Sequence, residues 1–214
     1  MTRHDALHND LLRRFADAPP LGELMATEAP DLPLPQQPRR AAVLVAFVAR
    51  ERPTLLLTRR QAHLRQHAGQ VAFLGGGSDG DEDAAATALR EAWEEAALPP
   101  DAVRIIGQMA AFRTFTGYAI TPVLATIPPD LPLVPDAGEV ARLFEAPCDI
   151  LFDPAQRTLT RVEWQGAMRQ YWESHVDGER VWGITAALIR AIGDALALEG
   201  EPQALNGFGM RRCA

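Results

Sequence analysis

The spacing of apolar positions changes along the chain, and each change marks out an element. Leu7, Leu11 and Leu12 recur at helical spacing within Asp5–Ala16, and the proline-rich Ala29–Pro38 cannot continue a helix. A helical arm and linker are therefore predicted over residues 1–40. Ala41–Ala49 and Thr54–Thr58 are short aliphatic runs separated by Arg50–Pro53, which predicts two strands joined by a tight connection. Gln70–Leu74 is a third candidate strand, after which Gly75, Gly76 and Gly77 are expected to break regular structure. The alanine-rich, acidic segment Asp83–Ala97 predicts a helix that ends before Pro99 and Pro100. Val103–Met109 and Ile120–Ile127 read as strands, Pro128–Pro135 as an exposed loop, and Val162–Trp172 as a hairpin about Gln165–Gly166. Within Trp182–Leu198, apolar residues at 184, 188, 189, 192 and 196 form the stripe of a closing helix. The whole predicts an α+β fold with its principal domain over residues 41–199 and a tail over 200–214.

Composition narrows the chemistry. The chain has 214 residues, 47% of them hydrophobic, enough for one domain with a sizeable core. Its apolar runs fall well short of the roughly 20 residues that span a bilayer as a helix, so no membrane partner is expected. Charges interrupt the apolar positions of MTRHDALHNDLLRRF, unlike a secretion signal, and cytoplasmic residence is the expectation. A net charge of −7 disfavours nucleic acid as a partner. All 21 basic residues are arginine, which removes the lysine of a P-loop and any lysine Schiff base. Ser78 and Ser174 are the only serines, and neither lies in the Gly-x-Ser-x-Gly setting of a serine hydrolase. Cys148 and Cys213 lack metal-site spacing.

The informative stretch runs from Gly76 to Leu98. At about 100° per residue, Glu91, Glu94 and Glu95 fall at roughly 0°, −60° and +40° around the predicted helix, on one narrow face. Like charges so placed repel, and the arrangement asks for a cation. Oxygen-only ligands favour a hard divalent ion, Mg2+ or Mn2+, which also bridges to substrate phosphates. Arg90 stands four residues before Glu94 and is suited to hold that carboxylate or to pair with Glu82. Gly75 and Gly76 allow close backbone approach to a metal or phosphate.

Gly76, five residues, Glu82, seven residues, then Arg90-Glu91-Ala92-Trp93-Glu94-Glu95-Ala96-Ala97-Leu98 resembles the Nudix box, Gly-x5-Glu-x7-Arg-Glu-U-x-Glu-Glu-x-Gly-U. Every charged position is filled; Ala97 stands where the box has its second glycine. The resemblance implies an α/β/α sandwich with a mixed sheet and a catalytic helix following a glycine loop. It implies Glu91, Glu94 and Glu95 as ligands of Mg2+ or Mn2+, with Arg90 and Glu82 bracing loop and helix.

Upstream, LLLTRRQAHLRQHAGQVAFLGG is similar to the region marking the coenzyme A pyrophosphatase branch of that family. Leu56, Leu57, Thr58, Arg60, Arg65, Gly69, Phe73, Gly75 and Gly76 match, while Gln61 and Leu74 depart from the pattern. Thr116-Gly117-Tyr118 and the segment from Trp182 also look like that branch. The implied reaction is hydrolysis of the diphosphate of coenzyme A or an acyl-coenzyme A. Its products are 3′,5′-ADP and 4′-phosphopantetheine or its acylated form. Thr58, Arg60, Arg65, Gly75 and Gly76 are the candidate substrate contacts, with Arg60 and Arg65 offering forked donors to phosphate. The general base stays open between Glu94 and Glu139, as does assembly into a homodimer. Two other functions compete. One is hydrolysis of ADP-ribose or another nucleoside diphosphate derivative by the same helix; the other is a nucleotide-sensing module that does not hydrolyse.

Overall fold

The computed structural model describes residues 1–18, 24–25, 36–64, 66–114, 116–164, 167–196 and 198. Its centre is β2 (Arg39–Val48), which pairs in parallel with β8 (Tyr118–Ile127) along its full length, from Arg39 opposite Tyr118 to Val48 opposite Ile127. The other edge of β2 is shared. β3 (Thr54–Arg60) pairs with it antiparallel only at Phe47 and Val48, and β5 (Leu74–Gly77) takes the earlier half, Ala41 to Leu44. The glycine triplet is therefore a strand and not the predicted loop. Gly75, at φ 153°, brings its Cα so near β2 that a Cβ would lie 2.3 Å from the Ala42 carbonyl oxygen. A side chain is what that pairing cannot accept.

β4 (Val71–Ala72) and β9 (Val140–Pro147) pair with β3, and β6 (Arg104–Gln108) and β7 (Phe112–Arg113) pair with β8. β1 (Leu24–Met25) adds to β7 in parallel and completes a mixed nine-stranded sheet. Residue alternation along β2 sorts the core into two layers. Val45, Phe47 and Ala49 face α1 (Arg3–Asp17), α3 (Cys148–Leu151) and α4 (Ile184–Ala195). Ala42, Leu44, Ala46 and Val48 face α2 (Ala84–Ala96) through Ala88, Ala92 and Ala96. This is the α/β/α sandwich implied by the resemblance.

The N-terminal helix enters the main core: Leu7 and Leu11 are fully buried, and Phe15 lies against Gly107 of β6. A second, antiparallel sheet of β10 (Thr158–Trp164), β11 (Ala167–Val176) and β12 (Glu179–Trp182) contains the anticipated hairpin, whose tip, Gln165 and Gly166, lies outside the described residues. β9 was not anticipated, because Arg142, Glu145 and Pro147 break up its apolar pattern. No described helix is long and apolar enough to cross a membrane.

Candidate active site

The site assembles where β5 runs into α2. Asp83 caps the helix, accepting from the Ala86 N–H at 2.8 Å, and turns the chain so that Glu91, Glu94 and Glu95 follow on the face toward β5. Arg90 organises the approach. Its Nε donates to Glu82 at 3.0 Å, its Nη1 to both Glu91 and Glu94 at 3.0 Å, and its Nη2 to the Gly77 carbonyl at 2.9 Å. One guanidinium thus ties the loop before the helix, the end of β5 and two helical carboxylates together. Its fork geometry is what permits four directions at once. Both contacts anticipated for Arg90 are present, and its hydrogen bond to Glu82, with the Asp79 N–H adding to it, holds the Glu82 carboxyl below the usual range.

Glu91 lies directly over Gly76, where a Cβ would meet its carboxylate at 2.5 Å. The two neighbouring glycines therefore serve different contacts, Gly75 with β2 and Gly76 with Glu91. Glu95 is the deepest acid, 4% exposed. One of its oxygens accepts the Gly75 N–H at 3.0 Å, and the other has, among the described residues, only Arg60 Nη1, at 3.5 Å. Burial raises the Glu95 carboxyl to about 7; the Gly75 bond and Arg60 oppose this, and the charges of Glu91 and Glu139 add to it. Glu91 is shifted upward too, first by burial, with Glu94 and Glu139 adding to it against the pull of Arg90.

Glu139 belongs to the same cluster because of register. Arg60 ends β3 opposite Val140 at the start of β9, and Arg60 Nη2 lies 3.5 Å from the Glu139 carboxylate. The preceding loop is fastened to α2, with Val134 N–H donating to the Ala96 carbonyl and Asp136 N–H to the Glu95 carbonyl, each at 2.9 Å. Those carbonyls belong to the last helical turn, which has no partners of its own. Asp136 Oδ1 accepts the Gly138 and Glu139 N–H groups, and Gln61 N–H donates to the Glu139 carbonyl at 2.8 Å. Gln61 and Asp136 were missed as site-positioning residues. The turn signature Asp136-x-Gly138 could have flagged the second.

The structure thus brings Arg60, Gly75, Gly76, Arg90, Glu91, Glu94, Glu95 and Glu139 to one locality. Thr58 is not on its open surface: it is 1% exposed and its hydroxyl bonds to the Ala72 carbonyl across the β3–β4 ladder. Arg65 lies outside the described residues. Tyr118 packs under Arg39, with the guanidinium carbon 4.4 Å from the ring centroid, and Trp182 tilts against Tyr171. Cys148 is buried at the start of α3, which pushes its thiol up and out of reach of ionisation.

The donor set fits a hard divalent cation. Glu91, Glu94 and Glu95 supply oxygens only, and the desolvated Glu95 carboxylate is under-compensated by its one long arginine contact. Among the described residues, no three acidic, histidine or cysteine side chains already surround a single point; Arg90 draws Glu94 aside. Glu94 stands on the exposed rim, held by Arg90.

Comparison with known proteins agrees with this geometry. A NUDIX domain profile matches residues 38–170. The uncharacterized Nudix hydrolase NudL of Escherichia coli strain K12 is 45% identical over 155 residues, covering 72% of this chain and 81% of that protein. Its namesake from Yersinia pestis strain Pestoides F is 39% identical over 161 residues, covering 75% and 81%. A solved MutT/nudix family protein from Enterococcus faecalis superposes with a TM-score of 0.50 at 16% identity, over 84% of this chain and 70% of that one, a likeness of fold alone. With the domain match and two such relatives added to a filled box, the chain belongs to the Nudix family of hydrolases.

Proposed function

We propose that this Nudix hydrolase cleaves the diphosphate of coenzyme A or an acyl-coenzyme A, with Mg2+ or Mn2+ held by Glu91, Glu94 and Glu95. The observation that carries the reading is the placing of Glu91 against Gly76 and Glu95 against Gly75, with Arg60 between Glu95 and Glu139. The coenzyme A preference rests on the matched positions from Leu56 to Gly76. When bound, the divalent ion neutralises charge on the diphosphate and acidifies water.

The chain's own residues supply the rest. Glu139, half exposed and supported through its backbone by Asp136 and Gln61, is the base that accepts the proton of the attacking water at its carboxylate. Glu94 is the less suited candidate, because Arg90 holds its carboxylate at 3.0 Å. Arg60 balances Glu95 and Glu139 and offers a forked donor to the substrate phosphate. Water adds to one phosphorus, the bridging P–O bond breaks, and 3′,5′-ADP leaves separately from 4′-phosphopantetheine or its acylated form.

The test is product analysis of the purified chain with Mn2+ and coenzyme A, acetyl-coenzyme A, ADP-ribose and nucleoside triphosphates. Release of 3′,5′-ADP from the coenzyme A compounds, well ahead of turnover of the others, is expected. Comparable turnover of the whole panel, or preference for ADP-ribose, overturns the substrate assignment and leaves the hydrolase.

A further inference from the structure

Among the described residues, the three-stranded sheet leaves β10 with a free edge. Strand order is β10-β11-β12, so β10 pairs on one side only, and five of the six residues from Thr158 to Glu163 are exposed. Native sheets usually blunt such an edge by shortening or bending it, by placing charged side chains or proline on it, or by covering it. Here the edge is seven residues long with unbroken register to β11, and its second half contains Arg161-Val162-Glu163. Val162 is 40% exposed, and Leu159 at 38% and Met168 at 65% add apolar surface on the other face of the same hairpin. Neither Arg161 nor Glu163 has an ion-pair partner among the described residues.

That tripeptide is self-complementary. In an antiparallel pair related by a two-fold axis perpendicular to the sheet, residues i and j face each other at a constant sum. An axis through Val162 therefore sets Val162 against its own copy. It also sets Arg161 of each chain against Glu163 of the other, twice. Directly opposed residues share a face, so both ion pairs form on the Leu159–Met168 side, where those apolar side chains flank them. Shifting the axis to Arg161 would oppose two arginines, and shifting it to Glu163 two glutamates. Among these three registers the charges favour the one centred on Val162.

We infer that two copies of this chain associate through β10, antiparallel and centred on Val162, joining their small sheets into one six-stranded sheet. The contact uses none of Glu91, Glu95 and Glu139 and is independent of the reaction proposed above. Such a contact is isologous and closes at two chains.

Sedimentation equilibrium over a concentration series tests it, with circular dichroism confirming that each variant is folded. The wild type is expected to be a dimer. Arg161→Glu and Glu163→Arg, each placing like charges opposite one another twice, should each weaken dimerisation about tenfold or more. The double variant Arg161→Glu, Glu163→Arg should restore it, because the pairs re-form with signs exchanged. Val162→Asp should abolish it. A wild type that stays monomeric throughout overturns the inference. So does a dimer that all four variants leave unchanged, as would occur if the copies met elsewhere, or a double variant no better than the singles.

Discussion

Gly75 and Gly76 are adjacent in β5, yet their missing side chains make room for different neighbours. A Cβ on Gly75 would meet the backbone of β2, which cannot yield; one on Gly76 would meet the carboxylate end of Glu91, which can. Gly75→Ala should therefore lower stability by about 2 kcal/mol or more, seen as a reduced urea midpoint. Gly76→Ala should leave the midpoint within about 1 kcal/mol but displace Glu91 and reduce turnover at least tenfold. Equal losses of stability in the two would contradict a Glu91 carboxylate that yields to a side chain at Gly76. Ala97 is the reverse case. It ends α2 in the left-handed region, at φ 49° and ψ 34°, with its N–H on the Trp93 carbonyl and the Leu98 N–H on that of Ala92. An L-residue there costs about 1 kcal/mol relative to glycine. Ala97→Gly should raise the unfolding free energy by about 0.5–1 kcal/mol after allowing for the freer unfolded chain, with activity unchanged. A lower midpoint would contradict the assigned cap. The sequence pattern identified this position as a departure, and the backbone shows that its consequence is for stability.

Among the elements, α1 shows how an apparently peripheral helix becomes part of the core. Its Leu7 and Leu11 are buried, and His4 and His8, one turn apart, both contact the hydroxyl of Thr126 in β8, at 3.0 and 2.9 Å. Burial, then Arg104 and His4, lower the His8 pKa below 6.5, against a smaller opposing influence from Asp5. The sign follows: the folded state keeps His8 neutral while the unfolded chain takes up a proton. The stabilisation is complete above pH 6.5 and is lost as pH falls through the lowered value. Urea midpoints measured from pH 7.5 down to pH 5 should fall, and His8→Gln should flatten that decline; an equally steep decline in the variant would exclude His8 as its source. The helical spacing of Leu7 and Leu11 made the helix itself legible. Its partner surface was not, because the residues it meets, Thr126 and Gly107, are more than 90 positions away and polar or bare. β5 was misread for a related reason. Three glycines carry no β-forming side chains, and what makes them a strand is the space β3 leaves along β2.

For the molecule as a whole, the sequence carried the chemistry better than the architecture. Local spacing on α2 was enough to place Glu91, Glu94 and Glu95 together, because a helix converts spacing into direction without help from the rest of the chain. Glu139 shows where that legibility stops. It reaches the site only because β9 pairs with β3 in a register that sets Val140 opposite Arg60, a contact across 80 positions that no local pattern encodes. Thr58 shows the converse: a position matched to a family pattern became a buried strand contact. The two faces of β2 hold α2 on one side and α1 and α4 on the other, so the acids stand on a helix fixed by the core rather than on a loose surface segment.

The central claim is that these acids bind a divalent cation, and Mn2+ binding followed by electron paramagnetic resonance tests it most directly. The wild type should take up Mn2+ at this site, while Glu95→Gln, folded by circular dichroism, should bind it at least tenfold more weakly and lose hydrolysis with it. Unaltered Mn2+ affinity and turnover in Glu95→Gln would contradict the account.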